Sequence, residues 1–194
     1  MNDYAIQLYI ELDYIQPKIW RRFVIEDGLN FERLHRAIQG VMGWENRHLY
    51  LFQFEDGTIV QKNEDNRGGR FDPRIPVYKS PTNNYVFSFL KVPGTTFQYI
   101  YDFGDHWVHT LKVESVTPVE LDQILPVCLE GERACPPEDC GSVPGYEQIL
   151  QALKQPQRKQ NQALLDWLDK DFDPESFQLD KINKRLSRMR SRTD

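Results

Sequence analysis

The chain has 194 residues, 40% of them hydrophobic and 27% charged, an ordinary balance for a soluble globular protein with a substantial core. Its net charge of −5 argues against non-specific nucleic-acid binding by the molecule as a whole, leaving only a local basic patch to do it. No apolar run is long enough to cross a membrane as a helix, and the opening MNDYAIQLYIELD carries acids where a signal peptide carries bases. The reading is therefore a cytoplasmic protein with reduced thiols.

Residues 4–13 alternate, with Tyr4, Ile6, Leu8, Ile10 and Leu12 on one face, and predict a half-buried strand. IWRRFVIE (19–26) predicts a second strand, antiparallel to the first. Asn30 is placed to cap a helix whose apolar residues are Phe31, Leu34, Ile38 and Val41, ending near Gly43. HLYLFQFE (48–55) predicts a strand that turns at Asp56-Gly57 into TIVQK. Residues 63–83 read as an irregular loop, and YVFSFLKV (85–92) fits either a strand or a short helix. TFQYIYDF (96–103) and WVHTLKVESV (107–116) predict a hairpin. Beyond the cysteine loop, GYEQILQALK, QALLDWLDK and LDKINKRLSRM all carry helical periodicity.

These elements predict an α+β fold: a largely antiparallel sheet, an early helix packed on it, and a helical C-terminal third. A single domain over 1–194 divides into a sheet-rich part (1–117), a cysteine loop (118–144) and a helical part (145–194).

All three cysteines, Cys128, Cys135 and Cys140, fall within CLEGERACPPEDCG (128–141). Structural zinc sites pair cysteines at C-x2–4-C; the gaps here are six and four residues, so the spacing signal is weak. Three readings stay open: a proline-stiffened loop with semi-buried thiols, a metal site for zinc, and a disulfide or redox pair. A metal needs a fourth ligand. His109 shares a strand face with Trp107, Leu111 and Val113, so it points inward and needs a partner. His106, three residues away, faces the other side. Pro136-Pro137-Glu138-Asp139 reads as a helix start.

YDFGDHW (101–107) places Asp102 and Asp105 at the hairpin end. They are turn residues by type, or carboxylates that hold a cation or act as acid and base. Glu138 and Asp139 join them as candidate functional acids. In the basic C-terminal segment, Arg185 and Arg188 are candidates for phosphate contact; an ordinary solvated face explains the same charges. His35 and His48 read as packing or capping residues. No phosphate loop, dinucleotide fingerprint or nucleophile elbow is present.

PKIWRR (17–22), LHRAIQGVMGW (34–44), HLYLF (48–52), YIYDFGDHWVH (99–109), CLEGERACPPEDCGSVPGY (128–146) and FDPESF (172–177) occur in this order. Together they resemble the plasmid pRiA4b ORF-3-like family over roughly residues 4–187. The loop departs from the family pattern in one place, reading Cys-Gly-Ser where members commonly have Cys-Gly-Gly. The resemblance implies no defined activity. Family members are labelled mobile-element passengers or resolvases, yet the first strand has no Tyr-x-Arg-x-Ser segment. Neither His35 nor His109 has Arg three residues on.

The expectation is a binding or accessory protein rather than an enzyme. Its centre joins the 102–109 hairpin to the 128–141 loop, with zinc as the candidate cofactor on Cys128, Cys135, Cys140 and His109. One alternative is a metal-dependent hydrolase or nuclease using Asp102, Asp105, Glu138 or Asp139. The other is a DNA-associated accessory factor. The partner is unknown under each reading.

Overall fold

A computed structural model describes residues 3–61 and 77–190. The loop expected at 63–83 lies mostly outside them, as does the last basic residue, Arg192. Eight strands form one sheet in the order β5-β4-β3-β6-β7-β1-β2-β8. They are β1 (Tyr4–Leu12), β2 (Ile19–Glu26), β3 (Tyr50–Phe54), β4 (Thr58–Gln61), β5 (Val77–Lys79), β6 (Thr96–Tyr101), β7 (Trp107–Pro118) and β8 (Val127–Glu132). Every neighbouring pair is antiparallel except β4–β5, which is parallel.

Alternation built the central strands. Ile6, Leu8, Ile10 and Leu12 of β1 and Trp107, His109, Leu111 and Val113 of β7 are all buried on the core side. The inward face of His109 is thus as the strand period requires. Helix α1 (Phe31–Met42) lies against β2; the Asn30 side chain caps it by accepting from the Arg33 amide, and Gly43 ends it at φ 104°. That left-handed turn is one that glycine adopts without a Cβ penalty.

The segment open to two readings became a short helix, α2 (Phe87–Leu90), preceded by a bridge from Tyr85 to Asn30. β8 lies where the sequence predicts only the cysteine loop. It pairs with β2 at the sheet edge, and Asn183 closes its outer side by accepting from the Cys128 amide (2.8 Å) and donating to the Cys128 carbonyl (3.0 Å). A side-chain amide here takes the place of a ninth strand.

After β8 come α3 (Ser142–Lys154), a 3-10 turn (Lys159–Asn161), α4 (Gln162–Trp167) and α5 (Leu179–Arg190). Turn-rich chain separates α4 from α5, so this end is less uniformly helical than its periodicity suggested. Helix α5 crosses α1 closely: a Cβ on Gly40 would come within 2.9 Å of Leu186. Pro136-Pro137 is irregular chain and Glu138-Asp139 a turn, rather than a helix start; Asp139 sits at φ 58°, and α3 begins only at Ser142. No described helix is long and apolar enough to cross a membrane.

Candidate metal centre

Three separate stretches of chain meet at one end of the sheet. The first is the turn after α1, residues 43–49. The second is the β6–β7 hairpin end, and the third is the turn at Glu138–Asp139. Gly141 donates its amide to Asp105 (3.1 Å), and Glu45 donates its amide to Glu138 (2.6 Å). Tyr101 donates its hydroxyl to the same carboxylate (3.0 Å) and accepts from the Arg47 amide (2.9 Å). The hairpin and the cysteine loop are therefore joined, through their acids and backbone rather than through their thiols.

At the meeting point stands His48. Its Nε2 lies 3.1 Å from Asp139, 3.6 Å from Asp102 and 3.7 Å from Glu138. The atom is buried, yet none of these contacts is aligned as a hydrogen bond. Among the described residues, one grouping brings three His, Cys, Asp or Glu ligand atoms within 4.8 Å of one another: His48, Asp102 and Asp139. Asp102 is itself buried, and its other oxygen accepts from the Gly104 amide (2.9 Å). The Asp139 side chain is 57% exposed, so the group opens to solvent on one side.

The backbone here is held in uncommon conformations. Asn46, Asp102, His106, Asp139 and Ser142 all have φ between 55° and 65° without being glycine. Such residues cost free energy and persist only where surrounding contacts enforce them.

A buried polar network fixes the turn that carries His48. His35 bonds the Tyr99 hydroxyl through Nδ1 (2.7 Å) and Asn46 through Nε2 (2.6 Å), while Gln39 donates to Tyr99 (2.9 Å) and accepts from the Asn46 amide (2.7 Å). These bonds assign the proton to Nε2 of His35. The ring also stacks on Tyr50 at 3.6 Å between centroids. Burial pushes its pKa down to about 4.

The quartet expected to bind zinc is not gathered: Cys128, Cys135, Cys140 and His109 form no such grouping. The physical reason is visible at each residue. His109 Nδ1 donates to the carbonyls of Trp107 (3.1 Å) and Tyr99 (3.2 Å), and Nε2 accepts from the Trp44 indole (3.4 Å). Both nitrogens are used, so this is a satisfied core histidine; burial pushes its pKa to about 4. The Cys128 thiol points at the carbonyls of Arg22 (3.6 Å) and Glu130 (3.7 Å). All three cysteines are free thiols. Burial raises Cys128 to about 11, and Cys135 and Cys140 to about 12.

Of the candidate acids, Asp102, Glu138 and Asp139 converge on His48, whereas Asp105 is spent on the Gly141 amide. Arg185 and Arg188 lie on the exposed face of α5, around a hollow shared with Lys181 and Lys184. By sequence His48 reads as a packing or capping residue. Its one available signal is membership of the same set of motif blocks as the two that contribute the acids, 99–109 and 128–146.

Fold and site together define an α+β protein that gathers an imidazole and carboxylates at the end of an antiparallel sheet. The chain belongs to the plasmid pRiA4b ORF-3-like family, whose sequence profile matches residues 4–181. It is 31% identical over 183 residues to "Uncharacterized protein y4hQ" of Sinorhizobium fredii (strain NBRC 101917 / NGR234), covering 94% of this chain and 90% of that one. It also resembles the crystal structure of "Protein of Unknown Function MM3350" from Methanosarcina mazei Go1, at 30% identity with a TM-score of 0.79. That match covers 93% of this chain and 98% of the solved one.

Proposed function

We propose that this protein binds a divalent transition metal, with zinc the first candidate, between His48, Asp102 and Asp139. The carrying observation is the buried His48 Nε2, which has no hydrogen-bond partner while three carboxylates face it. A lone pair aimed at anionic oxygens needs a proton or a cation between them. The spacing favours a metal. Two ligands bound tetrahedrally at about 2.1 Å stand about 3.4 Å apart. The His48 contacts of 3.1 Å to Asp139 and 3.6 Å to Asp102 bracket that value. One imidazole with carboxylates suits zinc or manganese better than calcium.

A hydrolytic role is the second reading, favoured by Glu138. Tyr101 and the Glu45 amide hold this carboxylate, and its Oε2 lies 3.7 Å from His48 Nε2. It stands where a general base would act on a metal-bound water entering from the open Asp139 side.

The test is zinc and manganese titration by calorimetry on chelator-stripped protein carrying no histidine tag. One saturable site is expected, lost in His48→Ala and Asp102→Asn and kept in Cys135→Ser. Equal uptake by wild type and His48→Ala would overturn the assignment.

A further inference from the structure

A second feature lies on the far side of Glu138. A cleft of about 380 Å3 runs between the end of α1, the Cys135–Glu138 stretch and the N-terminal part of α5. Its volume falls in the range that holds small molecules. Trp44 and Phe177 give it apolar surface, and Arg21, Lys181 and Arg185 give it positive charge.

Arg21 is the unusual member. It is 2% exposed, yet no carboxylate pairs with it among the described residues. Its Nε donates to the Val41 carbonyl (2.9 Å). Nη1 donates to those of Trp20 (2.7 Å) and Glu132 (2.6 Å), and Nη2 to that of Arg133 (2.6 Å). The guanidinium lies over the Phe177 ring at 5.1 Å. A guanidinium has five N–H groups, so among the described residues one on Nη2 remains without a partner. Burial lowers the Arg21 pKa, the sign of a cation lacking a counter-charge. Arg185 and Arg21 both act on the Cys135 thiol, which brings their charges to the same corner of the cleft. Among the described residues neither Lys181 nor Arg185 forms an ion pair.

The carboxylates along the cleft are engaged differently. Glu45 pairs with Arg47, and Glu138 bonds Tyr101 and the Glu45 amide. Asp169 and Asp173 accept from the amides of Asp171 and Glu175. Four of the five carboxylates are thus held by neighbours, Asp171 being the exception, while none of the three cations has an ion-pair partner among the described residues.

We propose that this cleft binds a small organic anion, its oxyanion head group held by Arg21, Lys181 and Arg185 beside Cys135. The apolar body of the ligand lies against Trp44 and Phe177. A duplex is a poor occupant. Its phosphates cannot reach the buried Arg21, and a long polyanion would have to pass Asp169, Asp171 and Asp173. The inference does not depend on the metal, since no proposed ligand of the metal is among the three cations.

The test is calorimetric titration of chelator-treated protein with inorganic phosphate and, separately, citrate, which distinguishes a phosphate from a carboxylate head group. Saturable binding of one of them is expected, weakening with salt. Arg185→Glu, an exposed position that leaves the fold intact, should reduce affinity by about ten-fold or more, and Lys181→Gln by less. Absence of saturable binding of both probes would overturn the proposal, as would affinity unchanged in Arg185→Glu. Binding of a DNA duplex with neither small anion bound would overturn it in favour of a nucleic-acid face on α5.

Discussion

Mild acid should destabilise the protein through two buried histidines. His35 and His109 are 2% and 0% exposed, and burial lowers both pKa values from 6.5 to about 4. In the unfolded chain these rings take up protons as the pH falls through 6.5, while in the folded protein they do not until about 4. The unfolded state therefore binds more protons in this window, and stability must fall with pH. It is fully present above about 6.5 and is lost progressively down to about 4. From these values each ring removes about 2 kcal/mol by about pH 5, or about 4 kcal/mol together. That is a large share of a typical total stability of about 5–15 kcal/mol. Urea denaturation near pH 7.5 and near pH 5, with chelator present, measures the loss. His109→Gln keeps a donor and an acceptor but does not titrate, so its loss should be about half that of wild type. His48 and His106 remain in both proteins, and the difference reports His109 alone. Equal losses in the two proteins would refute the claim that His109 is held neutral by burial.

Two further outcomes test the loop. A Cβ on Gly145 would lie 1.8 Å from the Cys140 carbonyl oxygen, so Gly145→Ala must push α3 and the loop apart. A loss of about 2 kcal/mol or more in thermal unfolding is expected, with weaker zinc uptake because Glu138 and Asp139 ride on that loop; unchanged melting would refute the close approach. The raised thiol pKa values predict that a thiol reagent near pH 8 labels the folded protein about 100-fold or more slowly than the denatured chain. Native labelling of Cys140 at the denatured rate would overturn the inert-thiol reading and favour a redox pair.

Much of the sheet was readable because strand alternation is a local property. β1, β2 and β7 each put one residue in two against the core, and even the inward direction of His109 followed from that period. What periodicity does not carry is the partner of a buried group. The partners of His109 are two backbone carbonyls and an indole from the turn after α1, none of which a pattern in residues 107–113 reveals. β8 escaped for a related reason. VCLEGE lacks alternation, and its pairing with β2 contains a bulge between Arg22 and Phe23. Pro136-Pro137-Glu138-Asp139 has the composition of a helix start. Its tertiary bonds to the Glu45 amide and the Tyr101 hydroxyl hold it as a turn instead.

The four histidines show why residue type alone misassigns a site. His35 and His109 are the two best buried, and each uses both ring nitrogens on fixed partners, so they can hold structure but cannot take up a ligand. His106 is exposed, with its amide committed to the Asp102 carbonyl (2.6 Å). His48 alone combines a buried, unbonded nitrogen with a ring that is still partly open. A ligand must be held in place by neighbours and yet keep its lone pair free, and these demands conflict in a well-packed core. The end of the sheet resolves the conflict. There the His35–Asn46 and Gln39–Asn46 bonds anchor the turn from behind, and its front edge is left facing the carboxylates. The buried histidine of α1 thus positions the half-open one, and the proposed metal site falls where the core's polar network reaches the surface.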